Sequence, residues 1–234
     1  MFKLFFENAK EYDKLRDFIS PPISWGRDEL IRLLAARIRE IHGKDSLSDN
    51  EAWALEFDTS KGLDKLQNYI ISRCVSGPRD LIVYCNMAKD VASESKITQE
   101  IVENVEGTYS KEKLATLNRD FGRTYPHIND FLQQLFSGQK QTYKNEELVT
   151  LLTNEVITGN RIREMFSKEE YVFYATKERL IELLYSVGFL GIKRTKTSEV
   201  EFVITSPDTG SLGLYKAHEY RIHNAYRHYL NLTD

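Results

Sequence analysis

The sequence predicts a mainly α fold in two parts: a helical bundle over residues 1–108, then an α+β winged-helix domain over residues 109–234 with a small antiparallel sheet. Three observations predict it. Apolar residues recur at helical spacing through the first part, in runs closed by Gly, Pro or a capping residue. Short apolar strings with strand character appear only after residue 108. The later elements then follow the order helix, short strand, helix, helix, strand, hairpin.

The first element read as helical is Phe2 to Phe18, broken at Pro21-Pro22. In the next helix Asp28 and Glu29 occupy the first turn, Leu30, Leu33, Leu34, Ile38 and Ile41 form the apolar stripe, and Gly43 follows His42 at the end. Lys44 to Asn50 reads as a loop, with Trp53 and Phe57 anchoring the segment after it. Leu63 to Cys74 is a third helix, ended by Ser76-Gly77-Pro78, and Asp80 to Ser93 a fourth, with Leu81, Ile82, Tyr84, Cys85 and Ala88 on its apolar side. Thr98 caps a fifth, expected to stop near Gly107.

In the second part Ser110 is expected to cap a helix over Lys111 to Phe121, and Pro126 to open another ending at Phe136. Gln141 to Lys144 reads as a short strand and Asn145 as the cap of a helix through Glu155. Thr176 caps a helix whose apolar face is wide: Leu180, Ile181, Leu183, Leu184 and Val187. Gly188 stops it, and Phe189 to Ile192 follows as a buried strand. Glu199 to Thr205 alternates with period two, Pro207-Asp208-Thr209-Gly210 is a turn signal, and Leu212 to Lys216 is the expected partner strand.

Composition narrows the function. Apolar residues are 41% and charged residues 29%, with 5 Pro and 12 Gly, which excludes a low-complexity or collagen-like chain. The formal net charge is -3, so any nucleic-acid contact has to come from a local patch. No apolar run of roughly 18 residues exists, so no membrane partner is expected. The N-terminus lacks the long apolar core of a signal peptide, and two isolated cysteines, Cys74 and Cys85, make neither a zinc site nor a disulfide framework. A reducing cytoplasm is the expected compartment. No phosphate loop, dinucleotide fingerprint, zinc-protease motif or serine-hydrolase elbow occurs, so no catalytic residue and no resident cofactor are expected.

Several strings are nevertheless distinctive. Ile23-Ser24-Trp25 followed by Leu30 to Arg39, and Ser76-Gly77-Pro78-Arg79-Asp80-Leu81-Ile82 leading into Tyr84-Cys85-Asn86, resemble the helical lid of bacterial AAA/STAND-like P-loop ATPases. Tyr109-Ser110, Tyr125-Pro126 and Leu184 to Ile192 resemble the winged-helix part that follows it in the same family. The chain thus resembles the C-terminal half of such an ATPase without its nucleotide-binding domain. The resemblance implies a regulatory or interaction module that couples nucleotide state to a protein or DNA partner, including in bacterial stress or phage defence. It implies ATP and Mg²⁺ only where a P-loop domain is present, with Arg79 reaching the γ-phosphate; self-association is compatible with it.

Each candidate has a plainer reading. Arg79 on its own is expected to pair with Asp80 or another carboxylate. Asn86 is expected on a helix surface or in a core hydrogen bond, and Trp25 and Trp53 as anchors. Cys85, on an apolar helical face, reads as an inert thiol and not a nucleophile. The Lys177 to Val187 helix takes the recognition position of a winged helix, but Glu178 and Glu182 interrupt its basic residues Lys177 and Arg179. Lys193, Arg194 and Lys196 form a basic wing able to hold phosphates, or simply a solvated loop. A stand-alone winged-helix DNA-binding protein is the alternative function. His218, His223 and His228 are spaced by five, about 140° apart at each step on a helix, so they share no face for a metal. With Tyr220, Tyr226 and Tyr229 they read as a surface-packed aromatic helix.

Overall fold

The computed structural model describes residues 25–75, 77–172, 174–202 and 211–234. The expected helix at Phe2 to Phe18, the Pro21-Pro22 break and the Pro207 to Gly210 turn lie outside the described residues. The fold is mainly helical with a small three-stranded antiparallel sheet.

Helix α1 (Arg27–His42) buries Leu30, Ile31, Leu34, Ala35 and Ile38 and ends at Gly43, whose φ of 63° suits a residue without a Cβ. Helix α2 (Asp49–Glu56) opens with a reciprocal cap. The Glu51 amide donates to Ser48 Oγ (3.4 Å) and the Ser48 amide to the Glu51 carboxylate (2.8 Å). Buried Trp53 ties α2 to α1 by donating its Nε1 proton to the Ile31 carbonyl at 3.1 Å. Helices α3 (Leu63–Ile71) and α4 (Pro78–Ala92) follow, and α4 has proline at its first turn, where a missing N–H costs nothing.

The expected stop at Gly107 does not occur. Helix α5 (Gln99–Phe121) starts at the Thr98 cap and runs for 23 residues through Gly107 and Ser110. Gly107 serves a close approach instead: a Cβ there would come within 2.9 Å of the His228 ring. Ser110, expected as a cap, lies inside α5, and its Oγ accepts the Tyr229 amide at 3.1 Å. The C-terminal segment is thereby seated on α5, and residue 108 falls within a continuous helix.

After α5 come α6 (Ile128–Phe136), β1 (Thr142–Lys144) and α7 (Asn145–Leu152), which continues as one wide π turn over Thr153–Ile157. Asn145 is the first residue of α7 and not its cap; its Nδ2 donates to the carbonyls of Tyr215 (2.8 Å) and Ala217 (3.2 Å). Short helices α8 (Asn160–Arg163) and α9 (Lys168–Tyr171) lead to α10 (Lys177–Ser186), where Thr176 caps as expected by accepting the Arg179 amide. Then come β2 (Leu190–Lys193), a 3₁₀ segment Ser211–Lys216, β3 (Glu219–Ile222) and α11 (Asn224–Arg227).

The sheet order is β1-β3-β2, with Tyr143 and Ile192 both opposite Tyr220. This order, with α6, α7 and α10 around it, is that of a winged helix. Two expectations fail at the hairpin. Leu212 to Lys216 winds into the 3₁₀ segment, and the strand returning beside β2 is Glu219–Ile222, within the stretch expected as an aromatic helix. Lone tyrosines and histidines carry no decisive period over so few residues, and tertiary pairing settles the outcome. Of the earlier alternating stretch, the described residues contribute one antiparallel bridge, Ile192 with Glu201. Buried side chains from α1 through α11 belong to one continuous core.

Candidate functional site

Arg79 and its supports are built from α4, α5 and the connection that precedes α4. Gly77, at a φ of 74°, turns the chain into α4, and Pro78 sets its first turn. Asp80, one residue after Arg79, is buried: it accepts the Val75 amide at 2.8 Å and the Lys113 ammonium at 2.7 Å. The side chains of this pair are only 5% and 6% exposed. The carboxylate expected to pair with Arg79 is therefore taken up inside the protein by a lysine of α5, while Arg79 is itself exposed on the first turn of α4. Asn86 is exposed on the same helix.

A second buried pair lies beside the first. Arg73 and Glu106 approach to 2.8 Å, the Tyr69 hydroxyl donates to Glu106, and the Tyr109 hydroxyl donates to the Arg73 carbonyl at 2.9 Å. Burial and the Glu106 carboxylate together push the Tyr69 phenol well above its ordinary range. Burial raises the Cys85 thiol to about 12 and raises Cys74 as well, so neither is poised as a thiolate. Cys85 is the inert thiol its position on α4 indicates.

The recognition-helix position is largely consumed by packing. Leu180, Ile181, Leu183, Leu184 and Tyr185 of α10 are buried, and the 3₁₀ segment packs against this helix, with the Tyr215 hydroxyl 3.5 Å from Glu182. Lys177 and Arg179 are exposed at the start of α10; Arg179 donates to the Val172 carbonyl at 2.7 Å, and Lys177 lies 4.0 Å from Glu178. Lys193 ends β2 opposite Glu219, Arg194 pairs with Glu201 at 3.2 Å, and Lys196 is exposed on the turn beyond. Of the three wing cations, Arg194 is ion-paired with Glu201, and Lys193 lies in register with Glu219 across the sheet.

The C-terminal histidines are dispersed among different elements. His218 precedes β3 and is half-buried, His228 rests on α5 at Gly107, and His223 is buried. Burial, with Lys113, Arg73 and Arg221 nearby, pushes His223 down to about 3. Its neutral ring accepts the Ala225 amide on Nδ1 at 3.1 Å and so caps α11. Among the described residues no group of three His, Cys, Asp or Glu side chains could hold a metal, and no helix is long and apolar enough to cross a membrane. Sequence reasoning missed both buried ion pairs, whose partners lie 33 residues apart in each case (Asp80 and Lys113, Arg73 and Glu106). The one available signal was a charge inside each apolar stripe.

The comparison with known proteins falls on this same region. Residues 28–118 match the model of a FunZ-associated C-terminal helical domain. The match covers less than half of the chain and spans α1 to the last turn of α5, including Arg79 and both buried ion pairs. No curated protein and no solved structure matches the chain.

Proposed function

We propose that this chain is a non-catalytic regulatory and interaction module that works with a P-loop ATPase domain and passes nucleotide state to a protein partner. The observation that carries the reading is the match of residues 28–118 to a helical domain described as C-terminal and associated with another component. Two features support it. Arg79 is an exposed guanidinium at a helix start, one residue from a carboxylate clamped by α5, which suits a single phosphate contact. The sequence has no phosphate loop, so the nucleotide and its Mg²⁺ would be held by the partner domain, with Arg79 as this chain's contribution.

The test is a pull-down with the purified chain for a P-loop ATPase, followed by that ATPase's turnover measured with and without the chain and with Arg79→Ala. Turnover is expected to depend on the chain and to lose at least tenfold of that dependence in the variant, about 1.4 kcal/mol. Turnover indifferent to the chain rejects the module reading.

Winged-helix topology and the exposed Lys177, Arg179 and Lys196 favour a second reading, direct DNA binding by the wing. It predicts micromolar binding to labelled duplex that weakens steeply with salt and is lost in the triple variant Lys193→Ala, Arg194→Ala, Lys196→Ala. The buried face of α10 and the Glu201 carboxylate paired with Arg194 favour the first reading, under which no duplex or single strand is retained at physiological salt.

A further inference from the structure

The two faces of the three-stranded sheet differ in kind. Tyr143, Tyr220 and Ile192, in register across β1, β3 and β2, are buried in the core. Side chains alternate along a strand, so the residues between them stand on the opposite face. There Lys144, Glu219 and Lys193 form one row across the three strands, and Thr142, Arg221 and Gly191 form the next. Strands lie about 4.8 Å apart, which sets the backbones of the three cations roughly 8 to 10 Å from one another around Glu219. Lys144 and Arg221 are exposed and Lys193 is half-buried.

The charge of this face is unbalanced. Among the described residues none of the three cations forms an ion pair. Glu201 is turned to Arg194 at 3.2 Å. Glu147, whose charge also reaches Lys144, is held by Lys140 at 3.1 Å and by the Lys144 amide at 2.9 Å. Three cations therefore surround the single carboxylate of Glu219, on a chain whose net charge is -3. Gly191 gives the patch an apolar margin. A Cβ there would come within 2.6 Å of the Phe202 ring and 2.7 Å of a Val200 methyl, so its absence lets both side chains lie on the sheet.

This pattern selects among anions. A sheet surface touches a small anion from one side only, and nucleic-acid binders commonly engage 6–10 phosphates, more than three cations with a carboxylate between them can answer. An extended acidic segment fits better: its alternate side chains stand about 7 Å apart, within reach of flexible Lys and Arg stems, and its backbone amides can donate to Glu219. We propose that the outer face of the sheet docks an acidic segment of a partner protein, with carboxylates at Lys144, Lys193 and Arg221. The proposal rests on the reading of the chain as an interaction module and names the chemistry of its partner.

The test is an NMR titration of the full chain with Ac-Glu-Thr-Glu-Thr-Glu-NH₂, its Gln-for-Glu counterpart and a thymidine decanucleotide, at low and then physiological salt. The acidic peptide is expected to shift the amides of Thr142, Lys144, Lys193 and Arg221 saturably, and more weakly as salt rises. Lys144→Gln and Arg221→Gln are each expected to weaken it about twofold to threefold, whereas Glu219→Gln is expected to tighten it about twofold. That opposite sign separates contact from loss of fold, and Arg79→Ala is expected to change nothing. Equal binding of the Gln peptide, tighter binding of the decanucleotide at physiological salt, or no saturable shift at these residues overturns the proposal. Acidic-peptide binding by a chain that leaves ATP turnover untouched would reject the ATPase coupling and keep this face; the converse would reject the face alone.

Discussion

The helical region from α1 to α5 and the winged-helix region from α6 onward are stabilised by different means. The first encloses two ion pairs, Asp80 with Lys113 and Arg73 with Glu106; the Val75 amide also donates to Asp80 and the Tyr69 hydroxyl to Glu106. Among the described residues the winged-helix region buries no comparable pair; its ion pairs, such as Arg194 with Glu201, sit at the surface. Both regions pack rings, Tyr84 on Tyr109 at 4.3 Å in the first and Phe166 on Tyr174 at 4.1 Å in the second, but the second has a connected set in which Phe189 bridges Phe136 and Tyr226 at 5.2 and 5.0 Å. Aromatic packing tolerates small shifts, whereas a buried pair enforces one geometry because separation strands a charge. The Asp80–Lys113 pair fixes the first turn of α4, on which Arg79 is exposed.

The comparison is most easily broken at Lys113. Lys113→Met strands the Asp80 carboxylate and is expected to cost about 4 kcal/mol in urea unfolding, with part of it restored by adding Asp80→Asn. A loss below about 1 kcal/mol would show that the pair does not hold the helical region. Phe136→Ala is expected to cost about 3 kcal/mol through its cavity, with little dependence on pH or on the state of Asp80.

His223 sharpens the contrast, because it stands between the regions with Lys113 and Arg73 of the helical part beside it. Its folded value lies below its unfolded one, so its contribution is fully present above pH 6.5 and lost as pH falls from there toward about 3. The loss is expected to reach about 2 kcal/mol by pH 5. His223→Gln should flatten that part of the stability profile; an unchanged slope would assign it to carboxylates. The smallest effect is expected at Arg194→Ala, about 0.5 kcal/mol or less, because its pair with Glu201 is partly solvated.

How much was legible differs between the two regions for a physical reason. Caps and stripes are local, so α1 and α10 are close to what Gly43, Thr176 and their apolar residues indicate, and α4 lies within two residues of the expected Asp80 to Ser93, whereas α2 stands where the sequence indicates only a loop and an anchored segment. Gly107 carries the same local signal as Gly43 but a different role, since only the His228 ring against it shows why it lacks a side chain. Tyr220 and His223 look alike in sequence, yet one is the centre of a sheet and the other a buried cap.

The amino-acid sequence by itself determined the mainly helical character, most helix ends, the winged-helix order and the lack of a phosphate loop, because each depends on residues within a turn or two of one another. Only the tertiary structure decided that α5 runs unbroken through residue 108, that β3 closes the sheet and that Asp80 answers to Lys113. Those outcomes join residues far apart in the chain, and their energies exist only once solvent is excluded from between them.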